Sequence, residues 1–257
     1  MLNNKRSTIL LTLIAFVFHI SVAIAGPIED CKEYSILGIP GQQGELMCRK
    51  GFLMAHSPVH KTPLWVIEHL TAEKAEGKLP RYNKFKADPD LKTENRAELS
   101  DYNNSGYDRG HMAPAADMKW DQTAMTECFY LSNMVPQVGK DMNRGIWKEL
   151  EEHIRTWAMN RTSIYVFTGP IYNGVVNKTI GKNKVTVPTQ LYKVVYDPQK
   201  NEAISFIMPN EEIKDKDMLK YVVTVREVEE KTGLNFLSNI EQTMQDEIET
   251  KAANKLW

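Results

Sequence analysis

Asp108-Arg109-Gly110-His111 opens the segment on which the reading of this chain turns, and Asn143-Arg144-Gly145-Ile146-Trp147 with Leu150-Glu151 closes it. Between them stand Phe129-Tyr130-Leu131-Ser132-Asn133 and then Pro136-Gln137. No other part of the chain is as dense in chemically able side chains. Cutting a phosphodiester needs three things: a water relieved of a proton, charge stabilised on the phosphoryl oxygens, and a stabilised leaving oxygen. Histidine suits the first, because its unperturbed pKa lies near neutrality. Arginine suits the second, because its planar fork matches phosphate. A metal ion suits the third and helps the second. His111 and Arg109 therefore supply a base and a phosphate clamp, while Asp108 and Gly110 are expected to set the turn that presents them.

The metal would come from downstream. From Asn143 to Met159 the apolar residues Ile146, Leu150, Ile154 and Trp157 recur at a helical period. Asn143 offers an amide oxygen, and magnesium prefers oxygen ligands and keeps several waters. If both residues were helical, Glu151 would lie about 12 Å further along the axis. That span is long for two direct ligands. Asn143 is expected to bind the metal and Glu151 to hold its waters.

Outward from this segment the elements are mixed. Leu64–Leu70 reads as a strand started by Pro63, and Thr71–Ser100 mostly as surface loop. Phe129–Leu131 is a short apolar run of β type. Thr162–Thr168 is strand-like and stopped by Gly169-Pro170. Val185–Tyr196 and Ala203–Met208 are two more strands, turned by Asp197-Pro198. A helix is expected around Leu237, Ile240, Met244 and Ile248. Strands and helices do not alternate, so the fold class is α+β with a largely antiparallel sheet.

The chain has 257 residues, 42% hydrophobic and 25% charged, an ordinary globular composition. Residues 1–25 have the layout of a signal peptide: Lys5-Arg6, an apolar run from Ile9 to Phe18, then Ala23-Ile24-Ala25. Residues 26–257 then form one domain, secreted or periplasmic, with no stable membrane association after cleavage. Cleavage takes two of the 32 basic residues and none of the 33 acidic ones. The remainder is slightly acidic, so phosphate binding must come from a local cluster. Lys140, Arg144, Lys148 and Arg155 are candidates for such a strip. Export makes a Cys31–Cys48 disulfide plausible and leaves Cys128 as a core thiol. His56, His60, His69 and His153 lack any matched motif. Asn103-Asn104-Ser105 has the pattern of a glycosylation sequon, expected to stay unmodified because sugar there would obstruct a polymer substrate.

On the motifs quoted above the chain resembles the sugar-nonspecific DNA/RNA endonucleases of the ββα-metal (His-Me finger) type, which include endonuclease G. The likeness continues through Tyr165-Val166, Gly169-Pro170, Ile180-Gly181-Lys182-Asn183, Val187-Pro188-Thr189 and Gly233-Leu234-Asn235-Phe236. It implies a central, largely antiparallel sheet flanked by helices, with DNA and RNA as substrates and 5′-phosphate products. It implies His111 as general base, Arg109 on the phosphoryl group, and Asn133 orienting His111 or the substrate. It implies Asn143 as the direct ligand of magnesium, which manganese can replace, and Glu151 orienting the waters of the metal. An upstream substrate-contacting arginine is also implied, with Arg81 and Lys86 as candidates. Many members form homodimers. Two other functions would use the same residues: a non-catalytic nucleic-acid-binding protein and a phosphodiesterase for small esters.

Overall fold

Alternation along the central strands sorts the apolar residues into two cores, one on each face of a single sheet. The computed structural model describes residues 29–172, 174 and 178–257. The expected leader at 1–25 lies outside them. The strands are β1 (Glu45–Cys48), β2 (Leu53–Ser57), β3 (Thr62–Thr71), β4 (Asp108–His111), β5 (Met134–Gln137), β6 (Ser163–Ile171), β7 (Thr179–Ile180), β8 (Val185–Thr186), β9 (Gln190–Asp197), β10 (Glu202–Pro209) and β11 (Val222–Val223). The helices are α1 (Lys32–Ser35), α2 (Ala72–Ala75), α3 (Leu99–Tyr102), α4 (Gln122–Glu127), α5 (Trp147–Arg161), α6 (Val225–Thr232) and α7 (Gln242–Glu249). The main sheet runs β1-β2-β3-β6-β9-β10-β11, and every pairing in it is antiparallel.

Successive strand residues point to opposite faces. Val66, Val166 and Val195 enter one core together with Trp147, Leu150, Ile154 and Trp157 of α5. Their neighbours Trp65, Ile67, Phe167, Val194 and Tyr196 enter the other, against Tyr34, Val228, Phe236 and Ile248. Each fully buried large aliphatic side chain stabilises such a layer by about 1.5–3 kcal/mol. A helix-sheet-helix arrangement follows, and the α+β fold expected from the sequence is the one observed. A smaller cluster of Tyr102, Leu131, Met134, Ile180 and Val185 supports a separate ribbon of β4 and β5.

Several boundaries differ from expectation. β6 runs through Gly169-Pro170 instead of stopping there. The expected strand over Val185–Tyr196 is two, because Val187-Pro188-Thr189 interrupts it and Pro188 has no N–H to donate. The C-terminal helix begins at Gln242, and Leu237, with φ of 52°, lies before it. The Phe129–Leu131 run forms no named strand, but its backbone brackets Lys86: Lys86 N donates to Phe129 O and Leu131 N to Lys86 O.

Cys31 and Cys48 are joined, and Cys128 is a buried free thiol. The bridge spans 17 residues and ties α1 to the edge strand β1. Removing it by Cys31→Ser with Cys48→Ser is expected to cost about 3 kcal/mol through the released loop. A lowered Tm in the variant, reproduced by reductant on the wild type, is the expected result. An unchanged Tm would show the bridge to be dispensable.

Candidate active site

Asp108-Arg109-Gly110-His111 is strand β4, not a turn. It pairs with β5 in the register Asp108↔Gln137, Arg109↔Pro136, Gly110↔Val135, His111↔Met134. Strand alternation therefore sends Arg109 and His111 to one face, and both line a cavity of about 240 Å³. Gly110 lies on the other face under Gln137, and a Cβ there would overlap Gln137 Oε1. Glycine is needed for close packing within the ribbon.

The same cavity is lined by Arg81, Asn143, Arg144, Lys148, Glu151 and Arg155. Lys148, Glu151 and Arg155 share one face of α5, while Trp147, Leu150 and Ile154 are buried on another. Asn143 is not on that helix. Residues Gly139–Ile146 lead into α5 as irregular backbone, with Asp141 at φ 57° and Gly145 at φ −125°, ψ −117°. The distance along a regular helix expected between Asn143 and Glu151 therefore does not apply. The irregular lead-in brings Asn143 to the cavity that Glu151 lines one turn into the helix.

Asp108 fixes how Asn143 is presented. Asn143 Nδ2 donates to Asp108 Oδ2 at 2.9 Å, and Arg144 Nε approaches the same oxygen at 3.1 Å. With its nitrogen held, the Asn143 amide keeps its oxygen available as an acceptor. Sequence reasoning missed this role of Asp108, and a lone acidic residue in a strand gives no signal of it.

His111 is 8% exposed and lies between Phe129 and Phe85, with ring centroids at 5.0 and 5.4 Å. Burial first, then the Arg81 and Arg109 charges, push its pKa down to about 3. The imidazole is therefore neutral at physiological pH. Its Nε2 is buried without a hydrogen-bond partner. Arg109 stacks over Phe85 at 4.4 Å and Arg81 over Phe129 at 5.0 Å. The two phenylalanines thus hold the base and both guanidiniums, a role no motif announced.

Glu151 is half-buried, and burial is the main force raising its pKa, to about 7. Asp117 raises it too, against lowering by Lys193, Arg155 and Arg81. Behind it, Arg155 Nη1 donates to the buried Asp117 at 2.8 Å and Lys193 Nζ to Thr168 Oγ1 at 2.8 Å.

Asn133 stands apart from the cavity. It is fully buried and its amide is spent on backbone: Oδ1 accepts from Ala113 N, and Nδ2 donates to Ala113 O and Cys128 O, all at 2.9 Å. Of the two expected roles, orienting His111 or the substrate, the second is thereby corrected. Asn133 instead pins the chain two residues past His111. Of the two upstream candidates, Arg81 lines the cavity, whereas Lys86 lies over the Tyr130 ring. Arg81 sits in a loop anchored by Asp88, which is buried against Arg49 at 2.7 Å and accepts from Ser132 Oγ. Of the expected basic strip, Arg144, Lys148 and Arg155 line the cavity, but Lys140 pairs with Glu212 at 2.6 Å. The other histidines have structural partners. His56 meets Asn95 O, His60 meets Thr186, His69 meets Glu33 and Ser163, and His153 stacks on Trp157.

A sequence profile described as DNA/RNA non-specific endonuclease matches residues 32–243. Nuclease C1 of Cunninghamella echinulata var. echinulata is 36% identical over 79% of this chain and 87% of its own length. Mitochondrial endonuclease G of Homo sapiens is 34% identical over 81% of this chain and 74% of its own. A chain in the crystal structure of an EndoG/EndoGI complex superposes with a TM-score of 0.79 at 34% identity, covering 84% of this chain and 94% of that one. The ββα-metal nuclease fold is thereby shown. The expected secreted or periplasmic location is overturned. Similar proteins carry a different location: endonuclease G of human and cattle and nucleases of two yeasts are named mitochondrial.

Proposed function

The chain belongs to the DNA/RNA non-specific endonuclease family, and on that premise we propose that it hydrolyses phosphodiesters of DNA and RNA in a magnesium-dependent reaction with His111 as general base. The observation that carries this is one cavity lined by a neutral imidazole, four guanidiniums, an amide oxygen and a carboxylate.

His111 takes the proton of the attacking water. With Nε2 shut away, Nδ1 is the ring atom available to that water. Arg81 and Arg109 hold the phosphoryl oxygens, and burial, with the same two charges, keeps the imidazole neutral with a ring nitrogen lone pair open to the water. Phe85 and Phe129 keep bulk water from the ring.

The donor set fits a hydrated magnesium ion. Among the described residues no cluster of three or more His, Cys, Asp or Glu side chains could cage a metal. The available set is the Asn143 amide oxygen, freed by the bond from its nitrogen to Asp108, with the Glu151 carboxylate on the same wall. Few protein ligands and several retained waters suit magnesium, and manganese takes similar oxygen ligands. Bound there, the ion would stabilise charge on the phosphoryl and leaving oxygens. Asn143 would hold it, and Glu151 would orient its waters. The products carry 5′-phosphate ends, and the protein acts as a homodimer, readable by sedimentation. Residues 1–25 are a removable leader, and N-terminal sequencing of the native protein checks the boundary at Gly26.

Purified protein lacking residues 1–25 is expected to degrade both plasmid and RNA with Mg²⁺ or Mn²⁺ and to stop on EDTA. Ligation of the products without kinase treatment reads the 5′-phosphate. Digestion that continues in EDTA would remove the metal from the mechanism, and binding in magnesium without cleavage would favour the non-catalytic alternative.

A further inference from the structure

The catalytic cavity opens into a second groove of about 410 Å³, and Arg81, Arg109, Asn143 and Arg144 line both. A polymer whose phosphate sits by His111 therefore continues into this groove. Its far wall is uncharged. Tyr102 and Tyr107 supply rings there, and Asn103 and Asn104 supply amides. The volume lies within the roughly 300–1,000 Å³ of small-molecule sites.

This wall is built in advance of any ligand. Ser105 Oγ donates to Tyr102 O at 2.9 Å, and Tyr107 N donates to Ser105 Oγ at 3.2 Å. Asp101, at the end of α3, accepts from Asn183 N at 3.0 Å and from Asn183 Nδ2 at 2.9 Å. Gly181, at φ 66°, packs so close that a Cβ would collide with Asp101. The Ile180-Gly181-Lys182-Asn183 turn thus bolts the α3 loop to the β7–β8 hairpin. On this fixed loop Asn103 and Asn104 are exposed, and neither side-chain amide has a hydrogen-bond partner among the described residues. The Tyr102 hydroxyl beside them is buried and unpartnered. Phe85 is covered by Arg109 at 4.4 Å; Tyr107 has Lys178 Nζ over its ring at 5.0 Å but stays half-buried, so a base would use the face that Lys178 leaves free.

Building on the nuclease function above, we propose that this groove is a nucleobase subsite. It takes the base of a nucleotide flanking the scissile phosphate, with the base face against Tyr107 and its edge toward Asn103 and Asn104. An amide both donates and accepts, so it can meet the polar edge of any base. Stacking is equally tolerant, since every base has a π face. Such a subsite gives a chain without bulk positive charge a grip on nucleic acid that does not depend on phosphate alone. It also does so without strong sequence choice.

The test is a binding measurement on full-length His111→Ala in magnesium, by fluorescence anisotropy. The probes are a single-stranded tetranucleotide and versions lacking one base at each position in turn. Loss of the base that fills the groove is expected to weaken binding about tenfold. That penalty is expected to vanish when Tyr107→Ala and Asn104→Ala are added, and to persist with Tyr107→Phe, which keeps the ring. Equal affinity for every abasic version would overturn the subsite. So would a penalty unchanged by Tyr107→Ala with Asn104→Ala. Thermal melts confirm that the variants fold. A wild type that shows the base penalty yet cuts nothing would sink the nuclease function and leave the subsite standing.

Discussion

His111→Ala is expected to lower plasmid and RNA cleavage by about 10²–10⁴-fold, the usual contribution of a positioned general base. Single-turnover rates with saturating magnesium measure it. Wild-type-like cleavage would remove His111 from the mechanism. The variant also carries a stability signature that separates lost chemistry from lost folding. The imidazole is buried and its pKa in the folded protein is about 3, below the ordinary 6.5. A group depressed in this way contributes stability that is fully present above pH 6.5 and is lost as pH falls toward 3. In that window the unfolded chain takes up a proton that the folded chain refuses. Each pH unit costs at most about 1.4 kcal/mol. Alanine removes the term. The wild type is therefore expected to lose Tm more steeply than His111→Ala between pH 6.5 and 4, even if the variant starts lower at pH 7.5 because of the void beside Phe85 and Phe129. Parallel pH profiles would show that His111 is not held neutral by its surroundings.

What could be read from sequence follows from how local each signal is. The motif Asp108-Arg109-Gly110-His111 announces its chemistry through residue type, and the helical period of Leu150, Ile154 and Trp157 announces α5 through spacing. Both are properties of a short stretch. The roles of Asp108, Asn133 and Phe85 are not, since each depends on a partner far along the chain. Asp108 meets Asn143 from 35 residues away, and Asn133 meets Ala113 from 20. Of the two roles that likeness implies for Asn133, orienting His111 or the substrate, only the first suits an amide fully occupied by backbone. The start of α5 was misplaced for a related reason. Ile146 continues the apolar period, but Gly145 just before it adopts backbone angles no helix allows, and periodicity carries no record of φ and ψ. The location failed differently. An apolar leader with a small-residue end describes a targeting segment, but its destination is read by receptors and not by the fold.

Asn143→Ala is expected to abolish measurable Mn²⁺ binding at millimolar metal and to reduce cleavage at least as severely as His111→Ala. Asp108→Ala is expected to weaken metal affinity by about 10–100-fold, the usual effect of losing the group that orients a ligand. The two effects differ because the two residues do different things. Asn143 would supply the oxygen, whereas Asp108 holds the nitrogen of the same amide at 2.9 Å and so decides which way the amide faces. The backbone there is irregular, with Asp141 and Gly145 outside helical angles, and among the described residues no other side-chain hydrogen bond holds the Asn143 amide. Asp108 also meets Arg144, so its loss could act through either partner. Arg144→Ala separates them. Its side chain is 69% exposed and lines the route of the polymer. Its removal is expected to raise KM for nucleic acid and flatten the salt dependence while leaving Mn²⁺ affinity within twofold or so. Calorimetric titration of the three variants measures all of this on one scale. Retained affinity in Asn143→Ala would dismiss it as the ligand. An Arg144→Ala loss equal to that of Asp108→Ala would show that the carboxylate acts through the guanidinium, and that the amide is aimed by the chain alone.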